Sequence, residues 1–441
     1  MKINFMRSTL LLIIIAIVCF LSLGTKNALG VTDDGNSNST QQPAFGEMDV
    51  FTPIVFSVLA PPVPVKGSDG LYYIVYELFV TNSNRFEWEV LSVEVLDGDA
   101  SGRVLQTVSG EEVKNKMRFV GTRQPTDSLE PAQSGLIFMA FSVENKEDIP
   151  SSLLHRLTIT SPGGLPDQIV SMLALPEGQD KLKEFGAPVS ISSDSAVVLG
   201  PPLGGSGWIA ANGCCNSITH MRSDLPMNGY LYISQRFAID WMKADKDNRL
   251  YVGDPQNLKS WFGYNQDVLA VADARVVTVV DKYKDQTPFI LPTKTGAITI
   301  EEIDGNHIVL ELANGQYVFY AHLKPGSVKV KEGDLVKRGD IIAKLGNTGN
   351  TSAPHLHLHV METPLTIGSN GLPYTFDEYN LTGRTSEESF FDEGLEDNTP
   401  FVDEETGLIK GNSVDVLPVN IPGQHNEDLP LDLSIVEFPE I

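Results

Sequence analysis

The sequence predicts a mainly β protein, in which an N-terminal β-sandwich-like domain is followed by a second, antiparallel-β domain. Residues 71–80 are rich in aromatic and β-branched side chains, as buried strands are. Residues 90–96 alternate apolar with polar side chains, and residues 136–141 form a continuous apolar run. Gly, Pro, Asn and Asp separate these runs, a spacing typical of short antiparallel strands joined by turns.

The N-terminus has the pattern of a secretory signal peptide over residues 1–30. Lys2 and Arg7 form a positive n-region, residues 10–23 form an apolar h-region, and small residues near positions 28–30 offer a cleavage site. The apolar stretch is short for a membrane span. We therefore expect an exported mature chain without a membrane span, with a retained N-terminal anchor as the alternative.

The rest of the chain divides at changes in composition. The predicted parts are a flexible linker, the β-sandwich-like domain, the second β domain and an acidic C-terminal extension: residues 31–47, 48–175, 200–365 and 366–441. A Gly/Pro-rich passage at residues 200–205 marks the second boundary. Alternation at residues 429–436 predicts one more strand, at the edge of a sheet.

The charge balance excludes one class of partner. The 441-residue chain has 32 Lys and Arg against 57 Asp and Glu, which gives a formal net charge of -25. Binding to nucleic acid depends on clustered Lys and Arg that neutralise phosphates. We therefore expect no nucleic-acid partner.

The cysteines do not indicate a disulfide scaffold. Cys19 lies in the predicted signal peptide and lacks the small residues that typically precede a lipidated cysteine. Cys214 and Cys215 are adjacent, so together they can close only a local ring and no long loop. Two buried thiols or such a ring are favoured over metal binding.

The pattern with the most chemical content is His355-Leu356-His357-Leu358-His359. Side chains alternate between the two faces of a strand, so the histidines are predicted to project together while the leucines face the core. Histidine is the commonest metal ligand. The run therefore predicts a metal site, with a polar strand face as the alternative.

The surrounding motifs occur in a characteristic order. They are Tyr320-Ala321-His322-Leu323, Val330-Lys331-Glu332-Gly333-Asp334, Gly339-Asp340, Gly346-Asn347-Thr348-Gly349 and then the histidine run, with Phe237-Ala238-Ile239-Asp240 upstream. This order resembles the M23 (lysostaphin/LytM-like) family of zinc metallopeptidases over residues 234–361. Biotinyl and lipoyl carrier domains have a similar glycine hairpin, but they need a lysine at an exposed tip and have no use for the histidines.

The resemblance implies a fold, a metal and site residues. It implies that Asp240 and His357 bind Zn²⁺ and that His322 and His355 form a catalytic pair, whose separate roles stay open. It also implies hydrolysis of peptide bonds in cell-wall peptidoglycan or similar short peptides, outside the cytoplasm. A catalytic zinc ion needs three protein ligands and one open position.

One position departs from the family pattern. The family's first ligand is a histidine four residues before the aspartate, where this chain has Arg236. Arginine stays protonated and has no lone pair to donate. His220 is the candidate third ligand, with His359 as the less favoured alternative. Arg236 and His359 are expected directly behind the ligands, where His359 would orient one of them. Pairing of Arg236 with Asp240 in place of a metal is also an alternative.

Three functions follow from this pattern. The first is a secreted zinc metalloendopeptidase. The second is a catalytically inactive M23-like domain that binds wall peptides or regulates another hydrolase. The third is an adhesion protein that works through its N-terminal β domain. The presence of a third metal ligand distinguishes the first function from the second.

Overall fold

The computed structural model of the chain describes residues 50–98, 102–215, 219–296, 298–390 and 413–440. The predicted signal peptide and linker lie outside these residues. The helices of the described residues are short: α1 (Glu111–Lys116), α2 (Asp167–Met172), α3 (Pro292–Thr295), α4 (Glu387–Phe390), and 3₁₀ turns at Lys146–Asp148 and Leu258–Ser260. None of them is long and apolar enough to cross a membrane. The prediction of a mainly β protein is confirmed.

Residues 54–190 form two stacked antiparallel sheets, which we call the sandwich. Its strands are β1 (Ile54–Val58), β2 (Val65–Lys66), β3 (Tyr72–Asn82), β4 (Trp88–Asp97), β5 (Val104–Ser109), β6 (Met117–Phe119), β7 (Ser128–Leu129), β8 (Ser134–Val143), β9 (Ser152–Thr160) and β10 (Leu182–Ser190). One sheet has the order β1-β3-β8-β6 with β2 beside β3, and the other has the order β10-β9-β4-β5 with β7 beside β4. The runs at residues 71–80, 90–96 and 136–141 correspond to β3, β4 and β8.

Most of the strands after the sandwich belong to one eleven-stranded sheet, which we call the large sheet. The strands of this part are β11 (Val197–Leu199), β12 (Gly205–Ala211), β13 (Leu225–Met227), β14 (Tyr230–Tyr232), β15 (Ile239–Lys243), β16 (Asp267–Leu269), β17 (Ala274–Val280), β18 (His307–Glu311), β19 (Tyr317–Ala321), β20 (Leu335–Val336), β21 (Ile341–Lys344), β22 (Leu356–Met361), β23 (Gly371–Leu372), β24 (Tyr374–Phe376), β25 (Tyr379–Arg384), β26 (Gly423–His425) and β27 (Ser434–Phe438). The order in the large sheet is β20-β17-β18-β19-β22-β15-β12-β27-β25-β26, with β23 beside β22.

The C-terminal strand corrects one prediction. The strand predicted at residues 429–436 was expected at a sheet edge, but β27 lies between β12 and β25 in the interior of the large sheet. Ile435 pairs with Ile209 of β12 on one side and with Gly383 of β25 on the other. Both backbone edges of β27 are therefore paired within the sheet, and Ile435, Val436 and Phe438 are buried.

Strand β3 is buried on both faces, and one of these faces packs the sandwich against the part that contains the large sheet. Alternate side chains of this strand pack inside the sandwich: Ile74, Tyr76, Leu78 and Val80. Those between them pack against residues of the large-sheet part: Tyr73, Val75 and Phe79. A strand buried on both faces has no need of polar alternation, which explains the continuous apolar run at residues 71–80.

The adjacent cysteines follow β12. Cys214 and Cys215 are joined by a disulfide bond, so the local ring is the alternative that the structure contains. Cys214 is buried in the core beneath the large sheet, and Cys215 packs against that core. Neither cysteine belongs to a group of potential metal ligands among the described residues.

Glu184 of β10 is a fully buried carboxyl group, and it predicts a pH-dependent stability. Burial raises the pKa of Glu184 from 4.5 to about 8, although the backbone N–H of Ile54 donates a hydrogen bond to it. Because the folded state binds this proton more tightly than the unfolded chain, raising the pH between these two values lowers the free energy of unfolding, by about 1.4 kcal/mol per pH unit.

The variant Glu184→Gln cannot ionise and is expected to lack this contribution to the slope. Urea unfolding of both proteins at about pH 5 and about pH 8 measures the difference. The variant should gain stability over the parent protein as the pH rises. An equal loss in both proteins would contradict the prediction.

Candidate metal centre

Strand pairing in the large sheet brings the predicted metal ligands together. Asp240 of β15 lies directly opposite His357 of β22, and Ala321 of β19 lies opposite His357 on the other side. Directly opposed residues share a face of the sheet. Leu356 and Leu358 are fully buried in the core on the opposite face, so the predicted alternation of the histidine run is confirmed.

Asp240 is the centre of the cluster, and four side chains approach its two oxygens. Oδ1 lies 2.9 Å from Nδ1 of His357 and 3.3 Å from Nε2 of His355. Oδ2 lies 3.2 Å from Nε2 of His220 and accepts a hydrogen bond of 2.9 Å from the amide of Asn212. Burial acts to raise the pKa of Asp240, but His220 and His355 outweigh it and hold this pKa well below its ordinary value. The carboxylate is therefore ionised.

Three histidines are oriented by backbone carbonyl groups. Each donates its Nδ1 proton to a carbonyl oxygen: His220 to Ala238 at 3.1 Å, His355 to Ala353 at 2.7 Å and His322 to Thr348 at 2.7 Å. In a neutral imidazole with a proton on Nδ1, the lone pair is on Nε2. This is the device by which proteins fix the tautomer of a metal-binding histidine.

This arrangement places lone pairs beside a carboxylate. Nε2 of neutral His220 and Nε2 of neutral His355 both face oxygens of Asp240, which is repulsive unless a proton or a cation lies between them. Burial lowers the pKa of each histidine, but Asp240 outweighs burial and raises the pKa of both above the ordinary value. The site is thus built for positive charge.

The donor atoms fit a divalent metal ion. Two groups have ligand atoms within 4.8 Å of one another: His220, Asp240 and His357, and His322, His355 and His357. Two imidazoles and one carboxylate form a donor set typical of catalytic zinc. Burial lowers the pKa of His357 despite Asp240, which favours the neutral form that a metal ligand requires.

His359 lies behind His357. Nδ1 of His359 is 2.8 Å from Nε2 of His357. When His357 directs the lone pair of Nδ1 toward Asp240, its Nε2–H donates to His359, and this contact fixes the ring. Burial lowers the pKa of His359 well below the ordinary value, so the acceptor is neutral. Nε2 of His359 is buried without a hydrogen-bond partner among the described residues.

His322 and His355 lie side by side at the edge of the cluster, with ring centres 4.7 Å apart. Burial lowers the pKa of His322 well below the ordinary value, and the charges of His355 and His357 act in the same direction. His322 has a φ of 61°, in the left-handed region that costs a residue with a Cβ about 1 kcal/mol or more. Such strain at a residue directly after β19 is a feature often found at functional sites.

The side chain of Arg236 does not join the cluster around Asp240. Its Nε and Nη2 donate to the two oxygens of Glu77 in β3 at 2.9 and 2.7 Å, and Nη1 donates to the carbonyl of Gly371 at 3.0 Å. These contacts direct the guanidinium to the sandwich. Asp240 instead has His220 as its partner, so the ion pair between Arg236 and Asp240 that the sequence left open is not formed.

Sequence reasoning did not identify several supporting groups. Asn212, which donates to Asp240, is one of them, and Glu77, the partner of Arg236, is another. The three carbonyl groups that orient the histidines belong to residues of no special type. A backbone acceptor leaves no mark in a sequence, and Glu77 stands within an apolar run where its role depends on a distant residue.

Comparisons with known proteins bear on this site. The model of the family described as Peptidase family M23 matches residues 261–369. Residues 261–369 therefore match peptidase family M23, the family that the motifs resemble. His322, His355, His357 and His359 lie inside the matched range, whereas Asp240 and His220 lie before it.

Two curated relatives share segments with the chain. Endolysin 2638A of Staphylococcus phage 2638A is 32% identical over 143 residues, 28% of this chain and 28% of that protein. Peptidoglycan DD-endopeptidase ShyB of Vibrio cholerae serotype O1 is 44% identical over 57 residues, 13% of each chain. The matched segments thus span under a third of these relatives' length.

Solved structures are similar at lower identity. The catalytic domain of lysostaphin from Staphylococcus simulans is 20% identical with a TM-score of 0.19, covering 40% of this chain and 88% of that one. A zinc containing peptidase from Vibrio cholerae is 15% identical with a TM-score of 0.24, covering 67% of this chain and 80% of that one.

Proposed function

We propose that this chain is an exported zinc metalloendopeptidase, in which His220, Asp240 and His357 bind the ion. The single observation that supports this most directly is the convergence of two imidazole nitrogens and a carboxylate oxygen within 4.8 Å. His220 thereby takes the role that Arg236 cannot fill. Bound zinc would supply Lewis acidity that polarises the scissile carbonyl and makes water more acidic.

The residues around the ion have separate tasks in this proposal. Asp240 and His357 are held by paired strands, which keeps their donor atoms in a fixed geometry. His359 orients the ring of His357 through the 2.8 Å contact behind it. Asn212 donates a hydrogen bond to Oδ2 of Asp240, and this bond limits how the carboxylate can rotate.

His322 and His355 are the proposed catalytic pair. One imidazole accepts a proton from the attacking water, and the other stabilises the negative charge on the carbonyl oxygen and assists the leaving amine. Both rings are held by backbone carbonyls at 2.7 Å, so their Nε2 atoms are directed without rotational freedom. The assignment of the two tasks between these rings stays open.

The proposed substrate is a short peptide bond of the kind found in cell-wall peptidoglycan. The name of one relative includes peptidoglycan DD-endopeptidase, which supports this substrate class. The net charge of -25 gives no electrostatic attraction to anionic wall polymers, so recognition would depend on contacts near the site. An exported enzyme also agrees with the predicted signal peptide.

Metal analysis of the purified chain together with a hydrolysis assay tests the proposal. We expect about one zinc per chain, release of soluble fragments from purified peptidoglycan, loss of release after chelation and its recovery with added zinc. A chain that binds no zinc and releases nothing would contradict the proposal. That outcome would favour the inactive wall-binding or regulatory module, since Arg236 stands at the usual ligand position.

The variant His220→Ala tests the third ligand separately. We expect it to lose most of its zinc, because Asp240 and His357 alone leave the ion with two protein ligands. His307→Ala is the matched control, since His307 is also buried in the large sheet but bonds to the carbonyl of Gly305. Zinc per chain is the measurement. Equal zinc in both variants would exclude His220 as a ligand.

A further inference from the structure

We infer that the sandwich positions His220 and thereby sets the affinity of the metal centre. This inference rests on the proposed function. It concerns residues 219–224, which we call the His220 segment. This segment is not part of any strand, whereas Asp240 and His357 belong to adjacent strands of the large sheet. A ligand outside the sheet ladder needs other contacts to stay in place.

The contacts of His220 and its immediate neighbours are local. The hydroxyl of Ser223 donates to the carbonyl of His220 at 2.8 Å, and the ring of His220 donates to Ala238. Met221 is buried in the core beneath the large sheet. These contacts form a turn around His220 but leave the far end of the segment to be fixed by something else.

The first connection to the sandwich is Arg222. This residue is buried, and its Nη1 donates to the carbonyl of Asn115 in α1 at 2.6 Å. The guanidinium also lies 5.8 Å from the ring centre of Phe138 in β8. A buried cation without these partners would be strongly unfavourable, so the contacts fix where Arg222 can lie. His220 is only two residues away.

The second connection comes from the sandwich side. Arg123 donates through Nη2 to the carbonyl of Asp224, and its Nε lies 3.1 Å from Oδ1 of the same residue. Asp224 is buried, whereas the side chain of Arg123 is 42% exposed. Arg123 also has a φ of 57°, an unfavourable conformation for a residue with a side chain. The side chain of this residue reaches the segment.

Together these connections hold the C-terminal side of the turn that carries His220. Apparent affinity falls in proportion to the fraction of molecules whose site is correctly formed. If the segment leaves its bound position in most molecules, zinc affinity decreases even though all three ligands are still present. Arg123 and Arg222 are therefore positioning residues for the metal centre.

The test uses the full chain and measures zinc affinity by competition with a chromophoric chelator. Arg123→Ala is expected to weaken zinc binding about tenfold, which corresponds to a formed site in about one molecule in ten. Arg103→Ala is the matched control, because Arg103 is an exposed sandwich arginine whose ion pair, with Asp97 at 2.9 Å, stays within the sandwich. The control should bind zinc as the parent protein does.

Two further variants separate positioning from general damage. Arg123→Lys keeps a cation near Asp224 and is expected to recover part of the affinity. In a His220→Ala background, Arg123→Ala should weaken the residual zinc binding no further, because the segment then carries no ligand. Circular dichroism and thermal unfolding verify that each variant is folded.

The outcomes distinguish this inference from the proposed function. A parent protein that binds no zinc contradicts both. A parent protein that binds zinc, with Arg123→Ala and Arg222→Ala binding it equally well, contradicts the positioning role alone. An additional loss from Arg123→Ala in the His220→Ala background would show an effect that does not act through His220, and it too would overturn the inference.

Discussion

Replacing His357 with alanine is expected to abolish zinc binding and peptide hydrolysis together. His357 belongs to both groups of converging donor atoms, and its Nδ1 lies 2.9 Å from Asp240. It also lies between β15 and β19 in the middle of the large sheet. His359 does not take its place, because it is directed at Nε2 of His357 and lies behind it.

The matched control for this variant is His355→Ala, two residues earlier in the chain. His355 is expected to contribute to catalysis and not to the ligand set, so its loss should abolish hydrolysis while most of the zinc remains. Zinc per chain and fragment release from peptidoglycan are measured for both. Retention of zinc by His357→Ala, or loss of zinc from both variants alike, would contradict this division of roles. His357→Gln keeps more of the buried volume, and it is the second variant to measure if His357→Ala does not fold.

The strands and the histidine face could be predicted because they depend on local patterns. Alternation at residues 355–359 is a property of the backbone, so it places His357 and His359 on one face whatever the rest of the fold does. The runs at residues 71–80 and 136–141 likewise predict strands from composition alone. Neither pattern indicates what covers the second face of β3, because that depends on how two separate sheets meet.

The parts that could not be predicted depend on contacts between distant residues. Arg236 and Glu77 are 159 positions apart, so nothing near either of them indicates that they form a pair. The position of β27 is similar, because its alternation fits an edge strand or an interior strand equally well until its neighbours are known. His220 could be named as a candidate from chemical need, but nothing in the sequence indicates its position relative to Asp240.

The second large effect concerns the pair formed by Arg236 and Glu77. Glu77→Ala is expected to lower the free energy of unfolding by about 3–5 kcal/mol, because it leaves a buried guanidinium without its anion. Glu77 is 1% exposed and Arg236 is 5% exposed, and the two are joined by bonds of 2.9 and 2.7 Å. Urea unfolding measures the change.

Glu94→Ala is the matched control. Glu94 and Arg156 form the same two-bond geometry at 2.6 Å, but their side chains are 17% and 22% exposed, so water can replace part of the lost contact. We expect a loss of about 1 kcal/mol or less there. Equal effects at the two sites would contradict the prediction, because the larger cost at Glu77 comes from burial and not from the geometry of the pair.

The double variant Glu77→Met with Arg236→Met tests the same argument from the other side. Removing both charges leaves no unpaired ion, so most of the lost stability should return. Arg236→His, by contrast, places a histidine at the family's usual ligand position but leaves Glu77 buried without its cation. It is expected to be destabilised without gaining zinc, since residue 236 is directed toward β3 while His220 already faces Asp240. A gain in zinc affinity from Arg236→His would show that the usual ligand position is still accessible to the metal.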